Sequence, residues 1–174
     1  MARSHSSRRA RGGRSALPDV VARRYICNVL RHFEPADEDE LVRVWLASTI
    51  HGQGFLSEEY WRSQEPLVRD HFIPMADTWI VEQDGELVAF MSILDHTIGG
   101  LFTHPDHQGK GYGRVLVEHA RTLHETVRVE VFRANGPAMA FYESCGFVEE
   151  SSRLDEATGI EAVIMRIDGL RPPR

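Results

Sequence analysis

Between Glu40 and Thr49 the apolar positions recur with a helical period. Leu41, Val44 and Trp45 fall at i, i+3 and i+4, and Ser48 closes the stripe at i+7. Asp37 and Glu40 stand at capping-box spacing ahead of them, so a helix is predicted over "LVRVWLAS". Upstream, the mostly apolar "YICNVL" beginning at Tyr25 predicts a strand. Downstream, "HGQGF" breaks the period and "SEEYWRSQEPLVRDHF" resumes it, with a bend expected at Pro66. The pattern then shortens to β-type runs. "DTWIVEQ" and "ELVAFMSIL", joined by Asp84-Gly85, predict a β-hairpin. "HTIGGLFT" predicts a third strand, whose Gly99–Gly100 pair marks a bulge or a close backbone approach.

In the second half, Leu116, Ala120 and Leu123 share one helical face, and "VRVEVF" is a short β-branched strand. "NGPAMAFYESCGF" has Asn135 and Gly136 at a helix start, Pro137 at its first position and Gly146 as its stop. Ala138, Phe141, Tyr142 and Cys145 form its apolar stripe. Two strands, "FVEESSRL" and "EAVIMRI", close the chain around the turn "ATG". The predicted order is strand, two helices, three strands, helix, strand, helix, two strands, with no internal repeat. A single α/β domain with a central mixed sheet follows.

Length and composition agree with one globular domain: 174 residues, 42% of them apolar, bury roughly two-thirds of the unfolded surface. No run approaches the ~18 apolar residues of a membrane span. Cys27 and Cys145 form no metal-binding spacing, and a reducing, cytoplasmic setting without membrane association is expected. Charge is uneven. Residues 1–24 hold seven arginines against Asp19, a balance of +6 that leaves −12 for the remainder of a chain whose net charge is −6. The segment 1–23, rich in Arg, Ser and Gly, is expected to be a disordered tail, with a globular domain over 24–169 and a short C-terminal tail over 170–174. A solvated extension is favoured for the arginine segment over a nucleic-acid-binding arm or a targeting peptide. The acidic body suits a cationic ligand such as an amine.

The stretch "THPDHQGKGYGRVLVEHA" raises the chemical question, because Gly109, Gly111 and Gly113 precede a helix in which glycine costs about 1 kcal/mol against alanine. It lacks the Walker A pattern and the G-x-G-x-x-G dinucleotide fingerprint. It does offer free N–H groups at a helix N-terminus, with Lys110 and Arg114 close by, a cradle for a pyrophosphate. A flexible strand-to-helix turn is the structural alternative.

"HPDHQGKGYG", followed at the right distance by "VEVFRANGPAMAFYESCGF", resembles the GNAT superfamily of acyl-CoA-dependent N-acetyltransferases, whose Q/R-x-x-G-x-G/A signature binds the coenzyme A pyrophosphate. The similarity covers roughly Tyr25 to Ile167. The "WLAS…FLSEEYWRSQEPLVRD" region and "LDEATG" further resemble the bacterial YiaC/YjaB-like branch. The resemblance implies a GNAT-type fold, a central mixed, mostly antiparallel sheet flanked by helices. It implies that Leu101, Phe102 and Thr103 hold the pantetheine arm, and that Gln108, Gly109, Lys110, Gly111, Tyr112, Gly113 and Arg114 form the pyrophosphate loop. It also implies that Asn135 touches coenzyme A, that Tyr142 protonates the departing thiolate and that Glu130 is the general base. Acetyl-CoA is then the co-substrate and no metal is required.

The chemistry has its own demand for such groups. A lysine-like amine with pKa ~10.4 is protonated at pH 7, and freeing its lone pair costs roughly 4.6 kcal/mol. A carboxylate such as Glu130 can take that proton, directly or through water, and a hydroxyl such as Tyr142 can serve the leaving thiolate. N–H groups at the Gly99–Gly100 bulge could stabilise the oxyanion. Structural alternatives stand beside each: Tyr142 as core packing, Glu130 as a half-exposed surface charge or a partner of Arg128 or Arg133, Cys145 as a small buried side chain. His104 and His107 are a poor metal pair, and His104 reads as a loop residue near the coenzyme. Trp45 is expected in the core, while His51, Phe55, Tyr60 and Trp61 are candidates for the acceptor groove. The reading is an N-acetyltransferase acting on a primary amine, with protein lysine or an N-terminus favoured. The alternatives are a small-molecule amine acceptor, a non-catalytic acyl-CoA sensor, or a nucleic-acid-associated protein acting through its tail. Nucleic acid is disfavoured as a partner, and a monomer or homodimer is expected.

Overall fold

The computed structural model describes residues 28–52, 57–156 and 159–170. The arginine-rich segment, Tyr25, Cys27, Phe55, the first two residues of the "ATG" turn and the last four residues lie outside them. Seven strands form one sheet: β1 (Asn28–His32), β2 (Asp77–Gln83), β3 (Glu86–Leu94), β4 (Thr97–Thr103), β5 (Thr126–Phe132), β6 (Val148–Leu154) and β7 (Glu161–Asp168). Their spatial order is β1-β2-β3-β4-β5-β7-β6. Every neighbouring pair is antiparallel except β4–β5. Four helices accompany them: α1 (Glu38–Gly52), α2 (Glu58–Ser63), α3 (Tyr112–Leu123) and α4 (Gly136–Cys145). The predicted element order therefore holds, but the final hairpin inserts β7 between β5 and β6.

Local chemistry explains most boundaries. Asp84 and Gly85 both take positive φ, 54° and 84°, which matches a tight hairpin turn to the strand twist. Ser57 caps α2 by accepting from Tyr60 N, and Gly146 ends α4 in the left-handed region. The predicted bend after α2 is a sequence of short pieces, Glu65–Leu67, the π-turn Val68–Phe72 and Ile73–Met75. The capping box lies three residues earlier than predicted. Asp37 accepts from Glu34 N at 2.8 Å and closes a 3-10 turn over Pro35–Asp37, because its carboxylate is also clamped by Arg31 at 2.7 and 2.8 Å.

The sheet has helices on both faces. Leu116, Val117 and Ala120 of α3 and Tyr142 and Cys145 of α4 pack with Met91, Val127, Val129 and Met165 on one side. Leu41, Val44 and Trp45 of α1 pack with Ile80, Leu87 and Phe90 on the other. Each such fully buried aliphatic side chain contributes roughly 1.5–3 kcal/mol. Trp45 is a core residue, as predicted, with Trp61 edge-on to it at 6.5 Å. No described helix is long and apolar enough to cross a membrane.

Candidate active site

The single parallel pair is short. β4 and β5 align only at Thr97↔Arg128 and Ile98↔Val129, and beyond these the strands part. β4 continues to pair with β3 through Thr103, and β5 with β7 through Phe132. The β4 edge from Gly99 to Thr103 is thereby left open towards β5. A cavity of about 710 Å³ occupies the opening, lined by Leu101, Phe102 and Thr103, by the glycine loop with the start of α3, by the start of α4 and by the end of α1.

The bulge expected at Gly99–Gly100 is present, since Ser92 aligns with Gly100 and Ile93 with Ile98, leaving Gly99 extra. Neither glycine lines the cavity, so Leu101 rather than the bulge stands at the opening. Gly100 makes room instead: a Cβ there would fall 2.6 Å from Cε2 of Phe102, whose ring packs on Phe90 at 5.2 Å.

In the loop, Gly109 and Gly111 take φ of +74° and +92°, and Gly111 is the N-cap of α3. The first N–H groups of α3 have no intrahelical acceptor by helix geometry. Gly113 serves a different purpose, because a Cβ there would lie 3.0 Å from Phe141 Cζ and 3.3 Å from Leu101 Cδ2. The flanking side chains are partly engaged. Gln108 donates to Thr103 O at 3.3 Å, Lys110 lies 3.4 Å from His107 Nδ1, and Arg114 donates to Ser144 O at 2.9 Å, joining α3 to the end of α4.

The start of α4 faces the same cavity. Asn135 is its N-cap and accepts from Ala138 N at 3.2 Å, so its side-chain oxygen is already used while the residue lines the cavity. Tyr142 is 6% exposed, with its ring against Phe141 and Phe147. Burial pushes its hydroxyl well above the ordinary phenol value. Tyr142 thus packs in the core and also lines the cavity.

Glu130 stands apart. Its side chain is 38% exposed on the face of β5 opposite the α3–α4 core, does not line the cavity, and accepts from Arg153 at 2.8 and 3.0 Å. The partners weighed from sequence are taken elsewhere, Arg128 by Glu150 and Arg133 by Glu149 and Glu161. Cys145 is buried, and burial pushes its thiol up. His51 lines the cavity, whereas Tyr60 and Trp61 do not. Thr49 was not anticipated. It is buried on α1 at the cavity, one residue beyond Ser48, the hydroxyl on an otherwise apolar stripe that was its only signal. In a chain with 26 acidic residues, the described lining contains no Asp or Glu. Such a cavity suits an anion.

Residues 74–149 match the model of the acetyltransferase (GNAT) domain. The peptidyl-lysine N-acetyltransferase YiaC of Escherichia coli K12 is 32% identical over 120 residues, which cover 68% of this chain and 82% of that protein. The peptidyl-lysine N-acetyltransferase YjaB of the same organism is 36% identical over 129 residues, covering 73% and 87%. The solution structure of apo YjaB shares the fold with a TM-score of 0.72 at 30% identity, over 81% of this chain and 97% of that one. The PaiA N-acetyltransferase of Thermoplasma acidophilum, solved with coenzyme A, shares it with a TM-score of 0.70 at 20% identity, over 82% and 99%. The seven-stranded mixed sheet, its one parted parallel seam and these relationships lead to one conclusion: the chain belongs to the GNAT family and is an acetyltransferase.

Proposed function

We propose that this acetyltransferase moves an acetyl group from acetyl-CoA to a primary amine by direct attack, with a lysine side chain of a protein or peptide as the favoured acceptor. The observation that carries the coenzyme half is the acid-free cavity, where two helix N-termini and an unpaired strand edge meet. The start of α3 presents free N–H groups and roughly half a positive charge to an anion, and α4, whose first turn holds Pro137 and the Asn135-capped Ala138, adds its dipole. The glycine loop, Gln108 to Arg114, is assigned to the pyrophosphate. The open edge at Leu101, Phe102 and Thr103 is assigned to the pantetheine amides, and Asn135 to a coenzyme contact beside its capping bond. The lysine acceptor rests on the activity for which YiaC and YjaB are named.

In the reaction the amine nitrogen attacks the thioester carbonyl carbon, the C–S bond breaks and the sulfur leaves as a thiolate. Burial keeps Tyr142 a phenol at neutral pH, so it offers its O–H to the sulfur as charge develops there. Before attack the ammonium gives a proton to Glu130, directly or through water, and the carboxylate must turn from Arg153 to accept it. The proton the nitrogen loses on bond formation balances the one Tyr142 gives the sulfur. The domain is assigned to residues 24–169.

The test has two stages. Coenzyme A at 100 times its dissociation constant stabilises the fold by about 2.7 kcal/mol, read as a rise in melting temperature. Mass spectrometry then follows acetylation across a panel of lysine peptides, N-terminal peptides and polyamines. Tyr142→Phe is expected to lower kcat roughly 10²-fold with little change in coenzyme affinity. Glu130→Gln is expected to show a defect that shrinks as pH rises and the amine arrives deprotonated. No thermal shift at millimolar coenzyme A overturns the reading, and binding without turnover on any amine makes the protein a sensor.

A further inference from the structure

The residues that give the glycine loop its shape do little to hold it in place. A Cβ at Gly109 or at Gly111 would have nothing within 4 Å, and both residues sit in backbone conformations that glycine enters and leaves freely. A loop of this kind loses much conformational entropy when it closes on a ligand, unless something outside it has fixed it beforehand. The next residue supplies such a fixture. Tyr112 follows Gly111 directly, its ring is 6% exposed in the α3-side core, and its hydroxyl donates to Gln83 Oε1.

Gln83 is well suited to anchor it. It is the last residue of β2, aligned with Asn28 of β1 on one side and with Glu86 of β3 on the other. The tight Asp84-Gly85 turn follows immediately. The hydrogen bond therefore ties a glycine-flanked loop to a strand end paired on both sides, 29 residues away in sequence. Burial, with the Asp84 carboxylate adding to it, pushes the Tyr112 hydroxyl up, so it remains a donor across the neutral range.

We propose that Gln83 is a positioning residue for coenzyme binding. Through Tyr112 it presets the glycine loop so that the N–H groups at the start of α3 already face the pyrophosphate. The inference rests on the assignment of that loop to coenzyme A. It makes the tether part of coenzyme affinity and not of acyl transfer itself, since Gln83 lies outside the cavity lining.

Tyr112→Phe removes only the donor and Gln83→Leu only the acceptor. Titration calorimetry on the full chain is expected to show coenzyme A binding weakened about fivefold in each, close to the 1 kcal/mol of one such bond by the tenfold-per-1.4 kcal/mol conversion. The double variant is expected to be no weaker than either single, because both remove the same bond. Gln83→Leu is expected to raise KM for acetyl-CoA while kcat at saturation stays within about twofold. With acetyl-pantetheine, a donor without phosphates, its kcat/KM is expected to match wild type. Wild-type affinity in both single variants, or losses that add in the double, overturns the inference, as does an equal loss with acetyl-pantetheine. A wild-type chain that binds no coenzyme A overturns the loop assignment and this inference with it. Wild-type binding with unaffected variants overturns the tether alone.

Discussion

Gly111 and Gly113 are two residues apart, yet the fold needs them for different reasons, and a second-site substitution separates these. Valine at Gly111 meets no clash, but it must hold a backbone at φ +92°, at a cost of roughly 1–2 kcal/mol. At Gly113 the backbone is ordinary helix. There the added Cβ falls 3.0 Å from Phe141 Cζ and 3.3 Å from Leu101 Cδ2, before the two valine methyls are counted. Overpacking of this kind costs roughly 1–3 kcal/mol, offset only in part by the helix propensity any residue gains over glycine. For a domain of this size 1 kcal/mol is about 2–4 °C, so each variant is expected to lose several degrees in a thermal melt without ligand. The discriminating step adds Phe141→Leu, which shortens the group that Gly113→Val strikes. In that background it is expected to restore more than half of the lost stability. In Gly111→Val it is expected to add a cavity penalty of its own, about 1 kcal/mol. Gly111→Asn, which tolerates the left-handed region, is expected to melt near wild type. Equal responses to Phe141→Leu in both backgrounds would refute the packing account of Gly113.

Asn135→Ala is expected to cost about 1 kcal/mol through loss of the α4 cap, while Asn135→Asp keeps the cap yet weakens coenzyme A binding, because a charge enters an acid-free cavity. Calorimetry alongside thermal melts separates the two effects. Arg31, by hydrogen bonding, holds the Asp37 carboxyl below the ordinary carboxylate range. A depressed folded-state pKa means that its contribution is present above the unfolded value near 3.8 and is lost as pH falls through the lower folded value. Asp37→Asn is therefore expected to destabilise by roughly 1–2 kcal/mol at pH 7, with denaturant midpoints converging on wild type as pH falls through the lowered folded-state value.

Features set by neighbours in sequence were legible, and features set by pairing across the sheet were not. The Asp84-Gly85 turn, the Gly99 bulge, the Asn135 cap and the Gly146 stop each express the conformational preference of one or two residues. The cavity-lining stretch from Leu101 to Arg114 was legible because it is nearly continuous in the chain. The insertion of β7 beside β5 was not, since it depends on which of several apolar faces meet. It is also why the partner of Glu130 was missed: Arg153 reaches it across an intervening strand, 23 residues on. The Gln83–Tyr112 bond is hidden for the same reason. The capping box at Asp37 and Glu40 was displaced by a competitor that sequence spacing does not weigh, the Arg31 guanidinium.

The place of the cavity follows from the one parallel pair. Parallel neighbours need a crossover between them, and α3 is that crossover from β4 to β5. A crossover helix begins beyond the carboxyl end of the first strand, and α4 begins beyond the carboxyl end of the second. Two helix N-termini are thus delivered to the same end of the sheet, where β4 and β5 separate. The β2–β3 and β3–β4 hairpins have tight turns at their ends and bring no helix terminus to them. The anion-binding half of the site is thus built into the topology. The acceptor half has no such determinant. On the proposed reading it falls to the end of α1, with Ser48, Thr49 and His51, and to the exposed sheet face where Glu130 of β5 meets Arg153 of β6. Those side chains, unlike the glycine loop, can change without disturbing the path of the chain, so on the proposed reading the choice of amine falls to them.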